Sequence, residues 1–375
     1  MNVNELQQES GQKALRAAGL HDKFLKLCRP EGGDLRILDK KAAVHFELIE
    51  EGNMYNPEID RAELRQLLLD SISPDTIKWN HKVVNISENG ASYTLEFADA
   101  SQEKVTVDIV VGADGAWSRV RAMSTIPATP VYSGITFVDL TLSAYESEYP
   151  ALSKFVGRGS LLALEDGKGI LAQRNSRDVI RVYAALQVDE QWQHESNIAN
   201  APDVASRVEL LTSKENYFAD WDNELQNLIR AATCNPNLPA IIRPIYALPL
   251  SYLRDPLKND THIVLLGDAA HLMSPFAGEG VNLAMADALD LANALASITA
   301  SSSWSRVGIS AALRKYEIRM RARAFQAATE SATNLDTFFG ENAAIKVKEL
   351  FLNHMPPKIV MAGIKLVRRL FAGFW

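Results

Sequence analysis

Residues 261–295 read THIVLLGDAAHLMSPFAGEGVNLAMADALDLANAL, and the order of their chemistry decides the fold. Ile263 to Leu266 are apolar without alternation, the pattern of a strand covered on both faces, as in a parallel sheet. The run stops at Gly267, so Asp268 stands just beyond the carboxyl end of a strand, where open α/β sheets place their ligands. A carboxylate there can accept hydrogen bonds from a ribose or another polyol. The segment from Met273 to Asn282 then leads into a helix predicted over about 279–299. Gly278 and Gly280 let the backbone approach a flat ligand, and the helix aims its first N–H groups at it, stabilising negative charge that develops there. Singly these are ordinary features of a strand end, a cap and a turn; as an ordered set they are specific.

Working outward, 76–113 alternates in character and predicts three strands: IKWNHKVVNIS, then YTLEFAD after the turn ENGAS, then the largely apolar KVTVDIVVGADG. Upstream, 10–28 and 60–72 carry helical spacing, the second beginning at the cap-like Asp60. Alternating segments recur over 131–187, predicting a mixed or antiparallel sheet. Residues 205–232 read as helical, 243–253 as extended and 306–338 as a helix with a charged face. Two buried strands ending in ligand-type loops, near 106–115 and 261–268, are thus separated by a large sheet insertion. Two distant pieces of chain are expected to build one site.

Composition narrows the field. In 375 residues, 47% hydrophobic and 23% charged, there is material for a globular protein with a sizeable core. A net charge of -7 offers no clustered cationic surface for phosphate backbones, which argues against a nucleic-acid partner. Cys28 and Cys234 are too few and too far apart for a metal cluster or a disulfide scaffold, and they suit a reducing compartment. The polar start MNVNELQQESGQKALRAAG has no signal-peptide core, so a cytoplasmic location is expected. Residues 358–375 mix apolar residues with Lys365, Arg368 and Arg369; helical packing on the body is the stronger reading and contact with a membrane surface the weaker.

Two further motifs complete the set. Asp114-Gly115-Ala116-Trp117-Ser118-Arg119-Val120-Arg121 follows a buried strand, although Asp-Gly is a common turn and Ser118 could serve only as a helix cap. Asn56 to Arg65 places Arg65 on an amphipathic helix, where an arginine alone is more often a solvated charge. Together with GDAAHLMSPFAGEGVN these segments resemble the group A flavin monooxygenases, the aromatic hydroxylases, and among them the tetracycline-inactivating monooxygenases. The resemblance runs over nearly the whole chain, through SGQKALRAAGL, FADWDNELQNLI, RPIYALPL and the helix after 311.

The resemblance implies an α/β fold: an incomplete Rossmann-like FAD-binding domain over 1–125 and 255–305, an inserted mixed β-sheet substrate domain over 126–254, and C-terminal helices over 306–375. It implies that Asp268 binds the ribityl region of FAD and that Pro275 lies beside the isoalloxazine. The backbone of Gly278, Gly280, Val281 and Asn282 would face the ring's pyrimidine side, where reduced flavin carries negative charge. Asp114 and Gly115 would serve the pyrophosphate and use of the nicotinamide cofactor, and Arg65 the phosphate or ribityl chain. The implied activity is FAD- and NADPH- or NADH-dependent hydroxylation, by O2 through a flavin hydroperoxide, of a hydrophobic aromatic or polycyclic small molecule. The cofactor carries that chemistry, so no catalytic side chain is assigned. Leu162, Ala172 and Val182 fall near the family's substrate contacts, although apolar strand residues are more often plain core.

One departure stands out. Such enzymes open with a strand, a GxGxxG loop and a helix, whereas here Met1 is followed almost at once by the SGQKAL helix, and the glycines of EGGD neither follow a strand nor open a helix. The favoured expectation is a true start further upstream. The alternative is an N-terminally truncated, inactive or partner-dependent remnant that does not bind FAD stably; a halogenase or oxidase of the same fold is the weaker third reading.

Overall fold

The structure, a computed structural model, describes residues 3–49, 57–90, 92–123, 127–234, 238, 240–254, 261–300 and 305–354. The chain divides into two compact units. The first comprises Met1–Arg29, Tyr55–Ser133 and Tyr246–Thr333; the second comprises Pro30–Met54, Gly134–Ile245 and Asn334–Trp375. The strands in chain order are β1 (Val3–Glu5), β2 (Leu35–Leu38), β3 (Val44–Leu48), β4 (Glu58–Asp60), β5 (Val83–Asn89), β6 (Ser92–Phe97), β7 (Val105–Val107), β8 (Val110–Gly112), β9 (Val131–Ser143), β10 (Ser160–Glu165), β11 (Lys168–Asn175), β12 (Val179–Gln187), β13 (Ile241–Ala247) and β14 (Ile263–Leu265).

The mixed α/β architecture expected from the sequence is present, and its large sheet lies in the second unit. Seven strands run in the order β13-β9-β12-β11-β10-β2-β3. Neighbours from β9 to β10 are antiparallel, β2 joins β10 in parallel, and β3 closes on β2 antiparallel. Pro30–Met54 belongs to this unit because β2 and β3 are strands of its sheet. Alternation along each strand sorts the side chains onto two faces. Leu140, Leu161, Ala163, Ile170, Ala172, Val182 and Ala184 share one face and bury against the helices Pro150–Val156, Val204–Ser213 and Asn223–Arg230. Ala172 and Val182 are therefore plain core. Leu162, buried on the opposite face, is the only one of those three side chains turned away from the helices. The segment expected to be continuously helical over 205–232 is two helices, each started by its own cap: Asp203 accepts the Ser206 N–H at 2.8 Å and Asp222 the Glu224 N–H at 2.8 Å.

In the first unit the predicted strand KVTVDIVVG is two strands in two sheets. β7 pairs antiparallel with β6, whereas β8 pairs parallel with β14. Environment explains the break: Val105 is 43% exposed on a half-solvated sheet, while Val110 is buried beside Val264 and Leu265. Between the strands the Asp108 carbonyl lies 3.2 Å from His262 Nδ1. The helical stretch at 10–28 also divides, into Gly11–Ala17 and His21–Leu25. Gly19, at φ +71°, donates to Arg16 O and Leu20 to Leu15 O, the paired bonds of a Schellman stop. Leu15, Leu20 and Phe24 then form a small core with Ile59, Leu64 and Leu67 of β4 and the helix Arg61–Leu69.

The helix Gly280–Ala300 follows β14, and Arg306–Phe339 and Ala343–His354 follow it. Among the described residues, one helical stretch, Gly280–Thr299, is long and apolar enough by length and composition to cross a membrane. Its Leu283, Asp287, Leu291 and Ile298 are buried. The amphipathic stretch at 358–375 lies outside the described residues.

Candidate functional site

The parallel register Ile263↔Val110, Val264↔Val111 and Leu265↔Gly112 carries the two distant motifs out of one sheet edge in the same direction. Gly112 makes the approach feasible, since a Cβ there would stand 2.6 Å from Leu265 Cδ2 and 2.7 Å from Val120 Cβ. Just beyond, Arg121 joins the two loops. Its side chain is 2% exposed and donates to the carbonyls of Ala116 at 2.5 Å, Ala128 at 2.9 Å, Ala269 at 2.8 Å and Asp268 at 3.3 Å. Burial lowers its pKa, opposed by Tyr252, Asp114 and Asp268. Arginine keeps its charge against such a shift and can fan donors to several acceptors at once.

Asp114 spends its carboxylate on its own loop. One oxygen accepts the Ser118 hydroxyl at 2.5 Å; the other accepts the N–H groups of Arg119 at 2.8 Å and Val120 at 3.3 Å. Ser118 in turn caps the Arg121 N–H at 2.9 Å, opening the short helix Arg119–Ala122. What this turn presents outward is backbone, at Gly115, where an added Cβ would meet nothing within 4 Å.

The second loop is braced from beneath. Gly267 adopts φ +59° and ψ −146°, a conformation that glycine alone takes without strain, and its N–H donates to Asp287 Oδ2 at 3.1 Å. The same oxygen lies 2.6 Å from His271 Nε2, and Arg323 binds Asp287 Oδ1 at 2.8 Å and Asp290 at 2.9 Å. Burial alone would raise the Asp287 pKa, but the bonds from His271, Arg323 and the Gly267 N–H outweigh it and hold the carboxyl below its ordinary range. A helix thus returns an acid under the loop that precedes it. Asp287 was not among the residues singled out from the sequence. Its signal was there: an acid four residues from Leu283 and four from Leu291, on the buried stripe of an apolar helix. Asp268 itself is exposed, and its carboxylate makes no hydrogen bond or ion pair among the described residues.

After His271 the chain is pinned where Ser274 and Ser331 exchange hydrogen bonds, their hydroxyls 2.7 Å apart. Pro275 opens a single 3-10 turn that closes at Gly278 in the left-handed region, and Gly280 starts the 21-residue helix. An added Cβ at Gly278 or Gly280 would meet nothing within 4 Å. Val281 packs on the small core, and Asn282 is 1% exposed, with Oδ1 accepting the Gln7 N–H at 3.0 Å. Gln7 also donates to Glu279. The side chains of Val281 and Asn282 therefore fix the helix start, leaving backbone for any ligand. Arg65 is exposed on Arg61–Leu69, with no hydrogen bond or ion pair among the described residues.

A free carboxylate beyond a strand, a helix N-terminus and two glycines with open space in place of a side chain suit a planar ring carrying a polyol tail. The FAD binding domain family matches residues 7–221 and 212–331. The chain belongs to that family. Among relatives of this FAD-dependent monooxygenase is the monooxygenase penA of Penicillium thymicola, 35% identical over 92% of the present chain and 86% of its own. Among solved structures, Klebsiella pneumoniae HpxO complexed with FAD and uric acid superposes with a TM-score of 0.73, covering 97% of this chain and 86% of its own at 20% identity. Tetracycline destructase Tet(55) does so with a TM-score of 0.66 over 96% and 85%, at 18% identity. At those identities the two structures speak for the fold of the monooxygenase and not for its substrate.

Proposed function

We propose that this monooxygenase hydroxylates a hydrophobic aromatic or polycyclic small molecule, using O2 and reducing equivalents from NADPH or NADH, in the cytoplasm. The observation that carries the reading is the segment from Asp268 to Asn282: an uncommitted carboxylate, then glycine backbone at the start of a long helix, braced by Asp287 and Ser331. When bound, FAD would supply the redox chemistry: two-electron transfer from a nicotinamide and activation of O2. Asp268 would hold the ribityl hydroxyls, and Pro275 would flank the ring. The backbone at Gly278, Gly280, Val281 and Asn282 would stabilise negative charge at the pyrimidine edge. Gly115 would offer its backbone toward the pyrophosphate, with Asp114 shaping the turn, and Arg65 is free to reach a phosphate. The sheet face bearing Leu162 would form the substrate wall.

A second reading, weak retention of FAD by this polypeptide, is favoured by β8, which pairs only with β14 among the described residues and leaves Val111 40% exposed. A parallel pair is ordinarily covered and extended on both sides. The activity itself is tested by incubating FAD-loaded protein with NADPH, isotopically labelled O2 and a panel of aromatic compounds. One labelled oxygen in a product is expected. Reductant consumption across the panel with no labelled product would remove hydroxylation from the reading.

A further inference from the structure

The helix start proposed to meet the ring's pyrimidine edge carries an acid of its own. Glu279 sits between Gly278 and Gly280 at the N-cap of the 21-residue helix, where its carbonyl accepts the Leu283 N–H at 2.9 Å. Its side chain is half-buried and accepts one hydrogen bond among the described residues, from the carboxamide of Gln7. Gln7 is held in place in turn: its backbone N–H donates to Asn282 Oδ1 at 3.0 Å, and its carboxamide oxygen accepts the Ser10 hydroxyl at 3.2 Å.

An acid at a helix N-terminus is ordinarily kept ionised by the helix dipole. Here the other surroundings favour the proton. Burial pushes the Glu279 pKa up, and Glu330 of the helix Arg306–Phe339 adds like-charge repulsion; the bond from Gln7 pulls the other way without reversing the shift. No lysine or arginine pairs with Glu279 among the described residues. From the N-terminal segment its partner is a neutral amide, and an amide can serve both protonation states, offering an N–H to a carboxylate and a carbonyl to a carboxylic acid. A guanidinium in that place would favour the ionised form alone.

Two negative charges brought together in a partly dry site repel, so an anionic reduced ring held at this helix start would drive a proton onto Glu279. We infer that Glu279 is the proton-uptake group that ties the reduction potential of bound FAD to pH. The electrons and protons balance: hydride from the nicotinamide brings two electrons and one proton to the ring, which is left anionic, and the Glu279 carboxylate takes one further proton from water. This rests on reading the Asp268–Asn282 segment as the flavin site. A residue that only fastened Gln7 to the helix would leave the pH dependence of the potential untouched, which separates the two roles.

The test is a spectroelectrochemical titration of the FAD-loaded full chain at a series of pH values from about 5 to 8.5, beside Glu279→Gln, which keeps a partner for Gln7 and cannot ionise. At the alkaline end the unaltered chain is expected to have a potential about 30 mV or more below that of the variant, which for a two-electron couple is a tenfold weaker hold on reduced relative to oxidised FAD. Toward pH 5 the two potentials should converge, because Glu279 then carries its proton whether or not the ring is reduced. Glu279→Ala, which gives up the Gln7 bond as well, should show the same pH-dependent gap, since the charge and not that bond sets it. A gap that is absent, constant with pH or wider toward acid would overturn the proposal and leave FAD binding and the proposed function standing. A folded chain that takes up no FAD would remove the reading beneath it and overturn both.

Discussion

Arg121→Met is expected to cost about 3–5 kcal/mol of unfolding free energy, read as a lower urea midpoint by circular dichroism. The substitution keeps an unbranched apolar stem, so the loss falls on the guanidinium. Its donors reach carbonyls at Ala116 and Ala128 on one loop and Asp268 and Ala269 on the other, so one side chain ties the two motif loops together. Each carbonyl left dry and unpaired costs about 1–3 kcal/mol before relaxation. Total stabilities are only about 5–15 kcal/mol, so the variant should be marginal or aggregate. Arg121→Lys should recover little, because one ammonium cannot span acceptors on both loops. A midpoint unchanged in either variant would mean that β8–β14 pairing alone joins the halves of the site.

The second large effect is expected at Asp287. Asp287→Ala leaves His271 fully buried without its partner, removes one of two carboxylates from Arg323 and frees the Gly267 N–H, at a cost of about 3–5 kcal/mol. The Gly267 turn positions Asp268, so FAD affinity should fall with stability. Asp287 also predicts an acid dependence with a definite sign. Its folded-state pKa lies below the unfolded value of about 3.9, so the folded protein binds the proton less readily than the unfolded chain. The stabilisation is therefore complete above about pH 4 and is lost as pH falls through the lower, folded value. Asp287→Asn should flatten that part of the acid-unfolding curve, and an unaltered curve would show that this carboxyl does not titrate as its surroundings require.

Why some of this was legible in the sequence and some not follows from the range of each interaction. The strand, turn and helix at 261–300 are local: an apolar run, glycines and a helix start dictate one another within a few residues. Asp114 stands out in the sequence by the same local logic, but that its carboxylate closes on Ser118, Arg119 and Val120, whereas that of Asp268 makes no bond among the described residues, is visible only in the structure. Arg121 appeared only as a letter of a motif. Its acceptors at Asp268 and Ala269 lie far along the chain, and no periodicity encodes them. Asp287 read as a charge on a helix because nothing local says that the preceding loop folds back over it. The division of KVTVDIVVG between two sheets was hidden for a similar reason: the alternation of β7 and the continuous burial of β8 are set by their partners. On the large sheet, the spacing located the strands but not which face the helices would cover, so Ala172 and Val182 were named beside Leu162.

Affinity for FAD bears on all of these points. Titrating the purified full chain with FAD, followed by quenching of flavin fluorescence, is expected to saturate at one FAD per chain. Asp268→Asn and Gly280→Val should each weaken binding about tenfold or more, with circular dichroism unchanged, because neither side chain has a structural partner to lose. A folded chain that shows no saturable uptake of FAD, or one whose uptake ignores both substitutions, would mean that the Asp268–Asn282 segment does not hold the flavin.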